Sequence, residues 1–237
     1  MEVRAIVVAG GSGSRLAPLT DHTHKTLLPL QGRPIIDYVL ASIRNAGITK
    51  ITIIGNKFIG KIRQHVGEGV DYILENEPLG VANALNLARE NNQNCSLLVW
   101  FSDNITNLDL TEDVAFHSKL SSGATLLVRE VENPQDFGIA TIEGGEIIGV
   151  EEKPLNPKSN LAIGGIYFFD ESFWNRFDKV SKSPDFSISD VTRQYIVEES
   201  VQWRNVGENT WIDCGTPESL QRAALMVEGG LFKVQGA

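Results

Sequence analysis

A glycine-rich segment near the start of the chain is followed by two basic residues, a combination suited to binding phosphate. The segment is Gly10-Gly11-Ser12-Gly13, with Arg15 two residues beyond it and Lys25 further along. Glycines let a backbone turn with positive φ and approach a ligand closely, and successive N–H groups in such a turn bind anions. A turn that only connects two elements rarely needs this many glycines beside two cations. The segment therefore predicts a phosphate cradle.

Two common phosphate-binding templates do not describe this segment. A dinucleotide fingerprint requires Gly-x-Gly-x-x-Gly, but Leu16 stands at the position of the third glycine. A P-loop requires Gly-x-x-x-x-Gly-Lys followed by Ser or Thr, and the nearest match, residues 55–61, is followed by Ile62. We interpret residues 55–61 as a chance match on a surface helix, so the first segment remains the predicted phosphate site.

Two aspartates, Asp103 and Asp213, each come at the end of an apolar stretch. Asp103 follows residues 96–101, and Asp213 follows Trp211 and Ile212. Open α/β sheets bind ligands at the carboxyl ends of their strands, so both carboxylates are expected to face the glycine segment. Each alone is more typical of a turn or a helix cap. Together beside a phosphate cradle they predict a Mg²⁺ site, since Mg²⁺ takes one or two carboxylates plus phosphate oxygens.

The elements that position these residues follow from the hydrophobic pattern. Strands and helices alternate up to about residue 120, which predicts a parallel, doubly wound sheet. Closely spaced strands then follow, with the hairpin signal Gly144-Gly145, and predict an antiparallel extension. The expected fold class is α/β, with a doubly wound, mostly parallel Rossmann-like sheet and a small antiparallel extension. Strands are predicted at residues 5–8, 50–54, 72–74, 96–101, 125–130, 138–142, 147–150, 162–169, 201–206 and 210–212.

Composition excludes several classes of partner. Lysine and arginine number 21 against 30 acidic residues, a net charge of −9, so binding to nucleic acid or to anionic membranes is not expected. Cys95 and Cys214 have no metal-ligand spacing and form no disulfide framework, which is typical of a reducing cytosol. No signal peptide or membrane span is indicated, and we expect a cytoplasmic protein.

Taken in order, the motifs resemble those of the sugar-1-phosphate nucleotidyltransferases, and most closely glucose-1-phosphate thymidylyltransferases. The resemblance covers roughly residues 3–225. It rests on residues 9–16 (AGGSGSRL), 25–29 (KTLLP), 102–104 (SDN), 151–154 (EEKP), 159–167 (SNLAIGGIY) and 211–216 (WIDCGT).

The resemblance implies an enzyme that uses Mg²⁺ to transfer a nucleotidyl group from an NTP, with dTTP or UTP favoured. The acceptor would be a sugar 1-phosphate, with glucose 1-phosphate favoured, and pyrophosphate would leave. It also implies one domain, residues 1–237, with a nucleotide-binding half at about 1–120 and a sugar-phosphate-binding half at about 121–228.

Family roles transfer to matching positions of this chain. The catalytic residues would be Arg15, Lys25, Asp103 and Asp213, of which Asp103 and Asp213 would hold Mg²⁺. The nucleotide would bind to Gly10, Gly11, Ser12, Gly13, Ser14, Arg15, Lys25, Glu75, Gly80 and Asp103. The sugar phosphate would bind to Gly138, Glu152, Lys153 and Ile163.

One departure from the family pattern leaves the base open. Thymidylyltransferases commonly carry Gln where this chain has Glu75, and residues 77–80 (EPLG) resemble mannose-1-phosphate guanylyltransferases. An ionised Glu only accepts hydrogen bonds, which suits guanine or the cytosine amine. A guanylyltransferase-like or cytidylyltransferase-like enzyme is therefore an alternative.

A catalytically weak relative that binds nucleotide sugars is a further alternative, against which the four retained catalytic residues argue. The sugar and the oligomeric state are left open, with a homo-oligomer as one option. Feedback regulation is open too, because no C-terminal extension like that of longer relatives follows the closing helix.

Overall fold

The fold is built outward from the first strand of the chain. A computed structural model describes residues 2–77, 79–120, 123–198 and 200–232. The strands are β1 (Val3–Ala9), β2 (Pro29–Leu30), β3 (Arg33–Pro34), β4 (Ile51–Gly55), β5 (Asp71–Leu74), β6 (Ser96–Phe101), β7 (Asn104–Thr106), β8 (Ala124–Glu130), β9 (Gly138–Glu143), β10 (Glu146–Glu152), β11 (Leu161–Phe169), β12 (Val201–Asn205) and β13 (Trp211–Asp213). The helices are α1 (Ile35–Asn45), α2 (Ile59–Val66), α3 (Val81–Leu87), α4 (Thr111–Lys119), α5 (Phe173–Val180), α6 (Ile188–Val197) and α7 (Pro217–Glu228).

A nine-stranded sheet forms the centre of the molecule. Its main order is β10-β9-β11-β6-β1-β4-β5, while β8 pairs with β11 and β12 pairs with β8. β1 lies parallel to both β4 and β6, and β5 continues the parallel set. Relative to β1, strands β10 and β11 run in the opposite direction and the other strands of this sheet run in the same one. This mostly parallel α/β sheet confirms the predicted fold class.

Both faces of the parallel strands are covered, which explains their near-continuous apolar sequence. Val7 of β1 packs in the core that contains Ile36 of α1, whereas Ile6 packs in the core that contains Leu85 of α3. Neighbouring residues of a strand point to opposite faces, so α1 and α3 cover opposite sides of the sheet. This is the doubly wound arrangement that the alternation of elements predicts.

β11 joins the two parts of the sheet. Its second half, from Ile166 to Phe169, pairs with β6 of the parallel part. Its first half pairs with β9. β9 in turn pairs with β10, and these two strands form the hairpin predicted around Gly144-Gly145. The change of neighbour falls at Gly164 and Gly165, where the pairing with β8 also shifts in register. The predicted antiparallel extension is therefore continuous with the parallel strands.

The two glycines of β11 make room for a second, smaller sheet formed by β7 and β13. A Cβ on Gly164 would lie 2.8 Å from the Trp211 ring, and a Cβ on Gly165 would lie 2.8 Å from Asn104 Nδ2. β7 and β13 pair antiparallel, with Asp213 opposite Asn104. β7 is not among the strands predicted from the sequence. The consequence for the site is that the segments carrying Asp103 and Asp213 are placed side by side.

In the part of the chain that the structure describes, no helix has both the length and the hydrophobicity needed to cross a membrane. The division into a nucleotide-binding half and a sugar-phosphate-binding half stays a prediction.

Gly164→Ala is expected to destabilise the protein by about 1–3 kcal/mol, because the added methyl group would overlap the Trp211 ring in a packed core. Gly149→Ala is the matched control, since it is also a strand glycine but its Cβ would lie 4.0 Å from the side chain of Thr141, an ordinary van der Waals contact. Denaturant unfolding of both variants measures the difference. Equal stability of the two variants would show that the close packing of β11 on β13 is not needed.

Candidate active site

The glycine segment follows β1 at the carboxyl end of the sheet, and its carbonyl groups are held by side chains. Asn56 Nδ2 donates to the carbonyls of Gly10 and Gly11 at 3.3 and 3.1 Å, and Thr20 Oγ1 donates to that of Gly13 at 2.8 Å. Within the described residues, the N–H groups from Gly11 to Gly13 donate to no protein acceptor. Gly13 has φ of 69°, the left-handed conformation that glycine adopts without strain. The segment therefore presents free donors suited to an anion.

Lys25 adds a cation beside these donors. It begins a short 3₁₀ turn, Lys25–Leu27, and a Cβ on Gly11 would lie 3.6 Å from its Nζ. Nζ forms a hydrogen-bonded ion pair with Asp103 Oδ2, and both side chains are largely buried. Thr26 Oγ1 donates to the Ser102 carbonyl at 3.0 Å and so ties the turn to the end of β6. Arg15 lies on an exposed 3₁₀ turn directly after the glycine segment.

The small β7–β13 sheet brings the two predicted metal ligands together. The N–H of Cys214 donates to the Asp103 carbonyl at 2.8 Å, which places Asp213 next to Asp103. Asn104 Nδ2 donates to Asp103 Oδ1 at 3.2 Å. Asp213 Oδ1 is buried and has no hydrogen-bond partner among the described residues. A Cβ on Gly215 would lie 2.6 Å from this oxygen and 2.8 Å from Arg15 Nη2, so Arg15 reaches the same place.

The two carboxyl groups differ in acidity. Burial, together with repulsion from Asp103, raises the pKa of Asp213 to about 6 against the attraction of Lys25 and Arg15. Burial also opposes ionisation of Asp103, but the charge and hydrogen bond of Lys25 hold the pKa of this carboxyl below its usual value. Two adjacent carboxylates thus lie near the Lys25 ammonium and the Arg15 guanidinium, and a buried oxygen of Asp213 lacks a donor among the described residues.

This donor set fits a divalent cation that draws its remaining ligands from a substrate. In the described ranges, no group of three or more His, Cys, Asp or Glu side chains is placed to hold a metal. Mg²⁺ needs no such group, because it binds through one or two carboxylates and completes its shell with phosphate oxygens and water. The unpartnered Asp213 oxygen beside Asp103 is the observation that supports the fit.

Glu75 lies on the other side of the glycine segment. It is 2% exposed at the end of β5, and Asn83 Nδ2 donates to its Oε1 at 3.0 Å. A Cβ on Gly10 would overlap Glu75 Oε2, so the absence of a side chain at Gly10 lets the two segments meet. Gly80, with φ of 96°, immediately precedes α3. The structure thus brings Glu75 to Gly10, as expected for one site.

The residues predicted for the sugar phosphate form a second group. Ser189 Oγ donates to Glu152 Oε2 at 2.7 Å, and a Cβ on Gly138 would lie within 3.3 Å of both oxygens. Ile163 is buried on β11 opposite Gly138. Lys153 is exposed and has φ of 43°. This left-handed backbone conformation is strained for any residue other than glycine. The second group therefore centres on Glu152.

Tyr167 of β11 lies between the two groups. Its ring contacts that of Phe101 edge-on, with centroids 6.2 Å apart, and Phe101 ends the strand that leads to Asp103. Burial raises the pKa of the Tyr167 hydroxyl well above its usual value, and the charge of Glu152 contributes in the same direction. One buried residue thus adjoins both the strand that leads to Asp103 and the Glu152 carboxylate.

Three side chains at the site were not predicted. Asn56 directly follows a buried strand. It could have been predicted in the same way as Asp103, because open α/β sheets bind ligands at the carboxyl ends of their strands. Ser189 lies in the first turn of α6, which Ser187 caps, and only the folded structure places its hydroxyl against Glu152. His24 stands in a polar segment, which is typical of a solvated loop residue, but it is 1% exposed, and its ring bonds Gly11.

Asp213→Asn is expected to raise stability above pH 6 in the absence of divalent cations. Because its folded-state pKa is raised, the stability that Asp213 contributes is present below about pH 4 and is lost as the pH rises through about 6. The variant cannot ionise, so its advantage over the wild type should grow between pH 5 and pH 8. Urea unfolding with EDTA at both pH values measures it.

Asp103→Asn is the matched comparison and should destabilise the protein at both pH values, since it removes the partner of the buried Lys25 ammonium. A difference between Asp213→Asn and wild type that is equal at pH 5 and pH 8 would contradict the raised pKa.

Comparison with known proteins places the chain in a family. It matches the Nucleotidyl transferase family over residues 4–229. A glucose-1-phosphate thymidylyltransferase of Neisseria meningitidis is 33% identical in an alignment that covers 95% of this chain and 83% of that protein. A protein of Sulfolobus acidocaldarius, provisionally named mannose-1-phosphate guanyltransferase, is 30% identical over 94% of this chain and 62% of its own length.

A solved structure agrees with these sequence relatives. A Bacillus anthracis protein, provisionally named glucose-1-phosphate thymidylyltransferase and crystallised with sucrose, superimposes with a TM-score of 0.89. The two chains are 32% identical, and the match covers 94% of each. The chain therefore belongs to the sugar-1-phosphate nucleotidyltransferase family and is a nucleotidyltransferase.

Proposed function

We propose that this enzyme uses Mg²⁺ to transfer a nucleotidyl group from dTTP or UTP to glucose 1-phosphate, giving an NDP-glucose and pyrophosphate. The observation that carries the proposal is the meeting of free glycine N–H groups, the Lys25 ammonium and the Asp103–Asp213 pair at the carboxyl ends of β1 and β6. The relatives named thymidylyltransferase support the choice of base and sugar.

The reaction requires positioning of charge more than proton transfer. A phosphate oxygen of the sugar 1-phosphate forms a bond to the α-phosphorus of the NTP, and the bond from that phosphorus to pyrophosphate breaks. The attacking oxygen is already anionic at pH 7, so no general base is needed. Two anions must approach each other, and catalysis therefore depends on fixed donors and cations around them.

In this proposal the glycine N–H groups and Arg15 hold the triphosphate, and Lys25 stabilises the charge that develops on the departing pyrophosphate. Asp103 and Asp213 would hold Mg²⁺, which would neutralise phosphate charge when bound. The buried Asp213 oxygen without a donor and its Asp103 neighbour support this assignment.

The sugar phosphate would bind at the group around Glu152. Ser189 occupies one carboxylate oxygen of Glu152, which leaves the other to accept a hydrogen bond from a sugar hydroxyl. Lys153 would neutralise the sugar phosphate. Its strained backbone conformation, in a segment that ends at Pro154, supports a functional role, because such strain persists where the surrounding structure requires it.

One observation favours a second candidate, a guanylyltransferase acting on mannose 1-phosphate. Asn83 occupies Glu75 Oε1, so Oε2 next to Gly10 is the oxygen available to a base. An ionised carboxylate accepts only, and the N1–H and N2 amine of guanine are donors, whereas thymine and uracil offer one N–H. The relative from Sulfolobus acidocaldarius carries a guanyltransferase name. A cytidylyltransferase would use the same oxygen for the cytosine amine.

Lys25→Ala is expected to lower kcat by at least about tenfold, with a much smaller effect on the KM of the sugar 1-phosphate, because the ammonium acts on the phosphates of the NTP. The measurement is pyrophosphate release with Mg²⁺ across the common NTPs and several sugar 1-phosphates. Lys50→Ala is the control, since this exposed lysine pairs with Glu2 just before β4. Equal turnover of Lys25→Ala and wild type would exclude the assigned role. A wild type that releases no pyrophosphate with any pair would favour the binding relative instead.

Glu75→Gln is expected to shift the ratio of kcat/KM for dTTP over GTP upward by about tenfold. An amide both donates and accepts, which matches thymine, and one matched pair of hydrogen bonds discriminates bases by about 1–3 kcal/mol. Glu77→Gln is the control, because Glu77 is exposed two residues further along. The same NTP array measures both variants. An unchanged ratio in Glu75→Gln would show that Glu75 does not contact the base.

A further inference from the structure

His24 joins the two segments that surround the proposed triphosphate site. Its ring is buried, with 1% of the residue exposed. Nδ1 accepts a hydrogen bond from the Thr26 N–H at 3.2 Å and thereby caps the turn that Lys25 begins. Nε2 lies 3.1 Å from the carbonyl of Gly11 in the glycine segment. One side chain thus contacts both segments.

The partners of the ring define its protonation. Nδ1 faces an N–H, so it carries no proton, and Nε2 faces a carbonyl, so it carries one. The neutral Nε2–H tautomer satisfies both contacts, whereas an imidazolium would place two N–H groups against each other. Burial and the neighbouring Lys25 charge lower the pKa of His24 to about 4, which agrees with this assignment.

We propose that His24 is a positioning residue that holds the glycine segment at a fixed distance from the Lys25 ammonium. The inference rests on the proposed function, in which both groups bind the same triphosphate. The Gly11 carbonyl is held by His24 and by Asn56 Nδ2, which directs the neighbouring N–H groups away from the protein. Asn56 anchors the carbonyl to the end of β4, whereas His24 anchors it to the segment that contains Lys25.

The chemistry of the position favours a neutral, two-sided hydrogen-bonding group. A lysine or arginine here would add a buried charge next to Lys25. A serine could cap the turn but could not reach Gly11. Histidine performs both tasks without charge, because its two nitrogens point in different directions. Since His24 is buried, it acts on the phosphates through Gly11 and Lys25 and does not touch them.

A pair of substitutions separates the two hydrogen bonds. His24→Asn places an oxygen near the position of Nδ1 and retains the cap, because Asn is a favoured capping residue, but it loses the bond to Gly11. His24→Gln places an amide N–H near the position of Nε2 and retains the bond to Gly11, but it loses most of the cap. Both variants replace the ring with an amide, and they differ from each other by one methylene.

We expect His24→Gln to keep kcat for pyrophosphate release within about threefold of wild type. His24→Asn should lower kcat tenfold or more with little change in the KM of the sugar 1-phosphate, since a misplacement of about 1 Å can cost up to ~10²-fold. Thermal unfolding of both variants accompanies the assay. Equal kcat of the two variants, whether retained or reduced, would overturn the inference. An inactive wild type would instead overturn the proposed function.

A measurement on the wild type tests the same bond without any substitution. In a sequence-assigned ¹H–¹⁵N spectrum of the histidine rings at pH 7, His24 should show a protonated Nε2 and an unprotonated Nδ1. The opposite tautomer, or an imidazolium, would overturn the inference whatever the activity of the variants.

Discussion

The ion pair between Lys25 and Asp103 is the interaction on which the candidate site depends. It joins a loop after β1 to the end of β6, and it neutralises two groups that are both largely buried. Removing one partner of such a pair typically costs about 3–5 kcal/mol, because the other charge stays buried. Oδ1 of the neighbouring Asp213 is buried without a hydrogen-bond partner among the described residues, and burial together with repulsion from Asp103 raises the pKa of this carboxyl. The site therefore combines an ion-paired carboxylate with a buried carboxylate oxygen that has no donor, an arrangement that suits a metal ion.

Much of the fold could be predicted from local patterns. The apolar run of β6 and the alternation of strands with helices were sufficient to predict a parallel sheet, because buried parallel strands have little polar sequence. β7 could not be predicted, since three residues carry no periodicity and the strand exists through its pairing with β13, about a hundred residues away. For a similar reason β10 continues to Glu152, beyond its predicted end at Val150: Glu151 and Glu152 belong to the strand because they pair with β9.

The residues of the candidate site also divide into those that could be predicted from the sequence and those that could not. Lys25, Asp103 and Asp213 were predicted because their residue types suit phosphate and metal, and the structure brings them together. His24 and Ser189 were not, because their roles depend on which atoms lie opposite them in the folded chain. A histidine in a polar segment has the sequence features of a solvated residue, and only its buried contacts with Gly11 and Thr26 distinguish it.

The path of β11 bears on how substrates enter. This strand is hydrogen-bonded to β6 on the side of the proposed nucleotide site and to β9 on the side of the proposed sugar-phosphate site. A hinge that swung one side towards the other would have to break these ladder hydrogen bonds, at a free energy far larger than a loop rearrangement requires. The distance between the two proposed sites is therefore set by the backbone of the sheet. Any closure around the substrates therefore has to come from movements of the connecting segments and from side-chain rotations.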